Sequence, residues 1–233
     1  MSTAEIVKKE LKKLSNPKKA KIHQRFFKTG PGEYGQGDIF IGLTTPEQKI
    51  VAKKHKDLPL REIQRLITSK IHEHRAVALH IIKMQYKAGD CDTQDRLAKF
   101  YLKNKNHINN WDLVDISAPN ILGDYLQDKK RKILYQLAES DSLWDRRIAI
   151  ITTLAFIKKG KFSDTKKISK MLLNDKEDLI HKAVGWMLRE MGKQDEKELI
   201  KFLDKYTTKM PRTSLRYSLE RLPEKKRKYY MKL

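Results

Sequence analysis

Residues 178–193 read DLIHKAVGWMLREMGK. Ile180, Ala183, Val184, Met187, Leu188 and Met191 recur with the 3.6-residue period of an α-helix and form one apolar stripe. The opposite face carries Lys182, Trp186, Arg189 and Lys193. A large indole in a line of cations has no stability reason to be exposed. Basic residues interleaved with an aromatic suit a phosphate–sugar backbone: cations hold phosphates, and the ring packs on sugar or base. On this helix alone, packing of Trp186 against a neighbouring helix, with the cations simply solvated, is an equal alternative.

The same periodicity recurs along the chain. Strand alternation is convincing nowhere, and the helices are joined by short connections, the pattern of antiparallel helical pairs. In TTPEQKIVAKKH, residues 44–55, Thr45 is expected as N-cap, Pro46 at the first helical position and Gln48 as capping-box partner. One segment is irregular. Gly30, Gly32, Gly35, Gly37 and Gly42 are five of the 10 glycines, and they mark 29–44 as an ordered loop. The expected fold is all-α: a single domain over 1–233, built as an α-solenoid of HEAT-like helical repeats with a concave basic groove. The repeat period is poorly marked, and a compact helical bundle competes.

Charge limits the partners. The 233 residues carry 51 Lys plus Arg against 29 Asp plus Glu, a formal charge of +22. Nucleic acid comes first; an anionic membrane or an acidic partner follows. The first residues show no apolar signal region, and no apolar run approaches the roughly 20 residues that span a bilayer. Cys91 is the single cysteine, so neither an intramolecular disulfide nor a thiolate zinc site is available. A soluble cytoplasmic protein without membrane association is expected, as a monomer.

Two further stretches carry anomalies. In SDSLWDRRIAIITTLAFIKKG, residues 140–160, the helix from Leu143 to Ile157 is apolar almost all round, with Ser140 or Asp141 as its N-cap. Arg147 shares a side with Leu143, Ile151 and Leu154, and a guanidinium there needs an acceptor. Phosphate or a carboxylate such as Asp115 fits, whereas Arg146 is read as reaching to water. In NNWDLVD, residues 109–115, Asn109 or Asn110 caps a helix, and Asp112 serves its dipole. Trp111 and Asp115 then fall on one face, one turn apart. A carboxylate facing polyphosphate weakens binding, so Asp115 is either in an internal salt bridge or kept for chemistry.

Taken together, FFKTGPGEYGQGDIFIGL at 26–43, NNWDLVDISAPNILGDYL at 109–126, LWDRRIAI at 143–150 and LIHKAVGWMLREMG at 179–192 resemble the DNA alkylation repair family. The resemblance is to its HEAT-like-repeat alkylpurine DNA glycosylases of the AlkD type. It implies a solenoid cradling duplex DNA. It also implies hydrolysis of the N-glycosidic bond of cationic purines such as N3-methyladenine and N7-methylguanine, without base flipping. By the same resemblance the sugar-contacting tryptophans fall on Trp111 and Trp186, the catalytic aspartate on Asp115 and the groove arginine on Arg147. The chain departs from the family's pattern in having Phe26 and Phe27 where a tyrosine is common, and Asn110 before Trp111 where a second tryptophan is common.

Other chemistry finds little support. His72 and His74 fall on different helix faces and make no metal pair; no metal and no cofactor are expected. GPGEYGQG lacks the strand and the Lys-Ser/Thr of a phosphate loop; Tyr34 or Lys28 is expected to touch DNA backbone there. His181 is read as structural or phosphate-facing. The C-terminal PEKKRKYYMKL is a charge run, usually solvated. Phosphate contacts are expected from Lys182, Arg189 and Lys193, and from Arg212 and Arg216, one turn apart. No lysine stands in an apolar setting, which favours a monofunctional glycosylase acting on alkylated double-stranded DNA. The alternative is a non-catalytic HEAT-repeat protein that binds DNA or RNA.

Overall fold

The computed structural model describes residues 2–233. Among these the architecture is all-α, and the single β-type contact is an isolated parallel bridge between Ile39 and Ile71. The chain divides into two compact units, the first ending at Ser117 and the second spanning Ala118–Leu233.

The first unit contains α1 (Ala4–Lys13), α2 (Pro17–Phe26), α3 (Thr45–Lys54), α4 (Leu60–Ile67), α5 (His72–Ala88), α6 (Cys91–Lys103) and α7 (Trp111–Ser117). Helix α5 is its hub, packed by α1, α3, α4, α6 and α7. Its run from Ala76 to Ile82 is buried almost all round, as expected for a central helix. Polar residues fill its first turn: His72, Glu73, His74 and Arg75 are also buried. Glu73 explains how the irregular segment is held. Its carboxylate accepts from the backbone N–H groups of Ile41, Gly42 and Leu43 at 3.1, 2.8 and 3.2 Å. Gly42 is required there: its φ is +87°, and a Cβ would stand 2.2 Å from the Asn16 carbonyl.

The second unit contains α8 (Lys132–Ala138), α9 (Leu143–Thr152), α10 (Leu154–Ile157), α11 (Ser163–Met171), α12 (Asp178–Gln194), α13 (Glu196–Tyr206), α14 (Arg212–Leu219) and α15 (Glu224–Lys232). Here α12 is the hub, packed by α9, α10, α11, α13 and α14. The stripe from Ile180 to Met191 is buried as its periodicity requires. Each of its Val, Ile, Leu and Met side chains contributes about 1.5–3 kcal/mol by leaving water. Gly185 lets α14 approach closely, since a Cβ there would lie 2.5 Å from Cβ of Tyr217.

Three local expectations need correction. The cap of α3 is Thr44, one residue earlier than expected, and its box partner is Glu47, which accepts from the Thr44 N–H at 2.6 Å and hydroxyl at 2.7 Å. The cap of α9 is Ser142; Ser140 instead donates to the Asp145 carboxylate at 2.9 Å. The apolar helix is also not continuous from 143 to 157. It breaks at Thr153, whose hydroxyl bonds back to the Ile150 carbonyl at 2.7 Å.

Candidate functional site

The first-unit site is built on one short helix. Helix α7 buries Leu113, Val114 and Ser117, which turns Trp111, Asp112 and Asp115 toward its partly exposed side. Trp111 and Asp115 are separated by one turn, about 6 Å of rise. Asn110 starts the helix: its carbonyl accepts from the Val114 N–H at 3.2 Å, and its side-chain oxygen accepts from the Trp111 N–H at 2.8 Å. Of the two asparagines considered as caps, the second fills the position.

The Trp111 ring rests on a ladder of rings. It stacks on Phe27 at 5.2 Å, Phe27 on Phe40 at 4.8 Å, and Phe40 on the imidazole of His72 at 4.4 Å. Phe26 meets Trp111 edge-on at 6.0 Å and is itself 62% exposed. Offset and edge-on contacts are the arrangements that ring quadrupoles favour.

The last rung carries charge. His72 is buried, yet its Nδ1 lies 3.1 Å from Asp38 and its Nε2 2.8 Å from Asp112. Burial opposes the charged form; the Asp112 and Asp38 carboxylates overcome it and push the imidazole up to about 9. His72 is therefore an imidazolium near neutrality, donating from both nitrogens. Asp38 also accepts from Arg75 at 2.6 Å and from the Asn110 amide at 3.2 Å. Against the desolvation that raises it, these donors hold the Asp38 carboxyl below its ordinary value. Two cations thus face two carboxylates. Asp112, expected to serve only the helix dipole, is tied into this network as well as accepting from the Leu113 N–H at 2.8 Å.

The result is a doubly held tryptophan. The residues on either side of Trp111, Asn110 and Asp112, both reach the Asp38–His72 pair, and the ring stack ends on that same His72. Such a network fixes the orientation of a partly exposed aromatic at low entropic cost.

In the second unit Arg147 is 5% exposed, and one of its acceptors is the Leu179 carbonyl at 2.7 Å, a backbone group and neither phosphate nor carboxylate. Arg146 does not merely reach to water. It binds Asp175 at 2.6 Å and the carbonyls of Ser140 and Asp141 at 2.9 and 2.8 Å, closing the start of α9 onto the loop before α12. Trp186 is half-buried, off the apolar stripe, with its Nε1–H donated to Glu190 at 3.2 Å.

The candidate phosphate ligands fall into two groups. Lys182 pairs with Asp178 at 2.7 Å, Lys193 with Glu190 at 2.8 Å, and Arg189 with Glu220 and Glu190. Lys28, Arg212 and Arg216 are exposed, with no carboxylate at ion-pair distance among the described residues. Arg212 donates to the Met231 carbonyl at 2.9 Å. Lys28 has a positive φ of 50°, and Tyr34 donates to the Phe26 carbonyl at 3.4 Å. His181 bonds the Asp175 carbonyl at 2.6 Å, a structural contact.

Among the described residues no group of three or more His, Cys, Asp or Glu is placed to hold a metal ion, and no helix is long and apolar enough to cross a membrane. Sequence reading missed Asp38, Arg75, Phe40 and the role of His72. The available signal was HEHR at 72–75, four polar residues directly before the apolar run AVAL.

The family model described as DNA alkylation repair enzyme matches residues 7–222. Among solved structures, a predicted DNA alkylation repair enzyme from Enterococcus faecalis is similar with a TM-score of 0.72. It covers 90% of this chain and 97% of that one at 18% identity, a likeness of fold. A search of curated proteins found no match.

Proposed function

Because the chain belongs to the DNA alkylation repair enzyme family, we propose that it is a monofunctional DNA glycosylase. It releases cationic alkylated purines, N3-methyladenine and N7-methylguanine, from duplex DNA, without moving the lesion into a protein pocket. The observation that carries this reading is the pair on α7: a braced, partly exposed indole at Trp111 with a carboxylate, Asp115, one turn further along the same side. A carboxylate facing phosphate weakens the grip of a strongly cationic surface, which is a cost that chemistry would repay.

The chemistry follows from the leaving group. An alkylated purine already bears positive charge. When the C1′–N bond breaks, its electron pair neutralises the base, and positive charge appears on the deoxyribose. Asp115 opposes that charge and orients a water whose oxygen attacks C1′, the displaced proton passing to the carboxylate or to solvent. The Trp111 face packs on the sugar, offers π-electron density to the oxocarbenium ion and excludes bulk water. Stiffness of the indole matters because charge stabilisation requires groups already in place. The His72 network supplies that stiffness.

Roles for the second unit are carried over by residue. Trp186 takes a second sugar contact, and Arg147 supports the binding surface. Lys28, Arg212 and Arg216 are the readiest phosphate ligands. Lys182, Arg189 and Lys193 must first exchange their carboxylates for phosphates.

The test is incubation with duplex DNA carrying one N7-methylguanine, followed by cleavage of abasic sites. Strand scission at the lesion is expected. A folded protein that binds the duplex and releases no base is instead the non-catalytic binding module.

A further inference from the structure

Helices α11 and α13 each pack on α12 and leave a groove between them. One carboxylate bridges it: Glu198 accepts from Lys166 on α11 and, at 2.7 Å, from Lys201 on α13. A cavity of about 230 Å³ opens beside this bridge. Phe202 and Tyr206 line it, their rings 4.8 Å apart and tilted by 46°. Phe202 is almost wholly buried, and Tyr206 is half-buried. The rim holds three more cations, Lys167 and Lys170 on α11 and Lys205 on α13. All three are exposed, and among the described residues none has a carboxylate at ion-pair distance. Glu198 therefore offsets only part of the charge gathered here.

We propose that this groove binds single-stranded nucleic acid. The argument is one of complementarity. Cations on both banks suit a chain of phosphates, and an apolar, aromatic-lined notch suits the face of an unpaired base. A duplex hides its base faces and would use only the lysines. An acidic peptide supplies carboxylates but no flat ring for the notch. DNA and RNA single strands share the chemistry, because neither a base edge nor a 2′-hydroxyl is read by an ammonium rim. The site lies on elements other than α7, and the proposal does not depend on the glycosylase reading.

The test compares K167Q/K170Q/K205Q with a control, K158Q/K159Q/K176Q, which removes the same charge from exposed lysines elsewhere in the second unit. Fluorescence anisotropy follows binding of oligothymidylate and oligouridylate of about a dozen nucleotides across a salt series. The groove variant is expected to bind both about tenfold more weakly or worse. Its log–log salt slope should fall by about two, at roughly 0.7 per phosphate released. The control should change little. Release of N7-methylguanine from duplex by the groove variant should match the parent. Photocrosslinking of a 5-iodouracil oligonucleotide should label Tyr206. Equal loss in both variants, absence of label at Tyr206, or oligoglutamate that binds more tightly than the oligonucleotides and depends on the same lysines would each overturn the proposal.

Discussion

The imidazole of His72 and the carboxylate of Asp112 meet at 2.8 Å, and Asp112 is the residue that follows Trp111. A buried cation thereby anchors the backbone beside the partly exposed Trp111. Asp38, on the other nitrogen of His72, holds Asn110 on the other side of the same tryptophan.

Stability should depend on pH in both directions. His72 is raised from 6.5 to about 9 by folding, so its contribution is complete below pH 6.5 and is lost as pH rises through about 9. The shift corresponds to about 3 kcal/mol. His74 and His80 are lowered by burial to about 4, so their contribution is complete above pH 6.5 and is lost as pH falls through about 4. Melting curves across pH 4–9 should peak near 6.5. His72→Gln should flatten the alkaline limb and leave the acid limb. An unchanged alkaline limb would refute the charged His72.

Weakening the brace should cost rate more than binding. Phe27→Ala removes the rung between Trp111 and Phe40. Single-turnover release of N7-methylguanine is expected to slow by about tenfold or more, a loss of preorganisation of about 1.4 kcal/mol or greater, with affinity for undamaged duplex nearly unchanged. Parallel loss of both would mean that the ladder serves only general binding.

Asp115→Asn preserves size and removes charge. The rate should fall by roughly two orders of magnitude or more, typical of losing one preorganised electrostatic group. Affinity for undamaged duplex should hold or rise, because a negative charge has left an anion-binding protein. If melting temperature drops and activity per folded molecule does not, Asp115 is a structural ion-pair partner and has no part in the chemistry.

The unpaired and the ion-paired cations make opposite forecasts. Arg216→Gln should lower the salt slope of duplex binding by about one unit. Glu190→Gln, which frees Lys193 and loosens Arg189 and Trp186, should tighten binding to undamaged duplex. Weaker binding by the Glu190 variant would show that those ion pairs orient their cations.

Lesion choice follows from the leaving group. Excision should favour bases with a formal positive charge over uracil or hypoxanthine, because the mechanism assigns no acid to protonate a neutral base. Efficient uracil release would contradict it.

Periodicity and caps are local, and local features were readable. The stripe from Ile180 to Met191, the loop at 29–44, and Trp111 with Asp115 on one side of a helix all depend on residues a few positions apart, where the 3.6-residue turn dictates which side chains share a face. The exact caps slipped, from Thr45 to Thr44 and from Ser140 or Asp141 to Ser142, because several short polar side chains compete for one helix end and small differences in packing choose among them. The polar network was not readable. Asp38, His72 and Asp112 are separated by 34 and 40 residues, and nothing in any one segment announces that burial will bring them together. The fate of the cations was equally hidden: Arg189 meets Glu220 across 31 residues, and Arg146 meets Asp175 across 29. By itself, then, the sequence determined helices, their faces and the net charge. Only tertiary structure decided which charges are neutralised, which histidine is charged and what holds Trp111 still, because these depend on distances and desolvation that arise when segments far apart in the chain pack together.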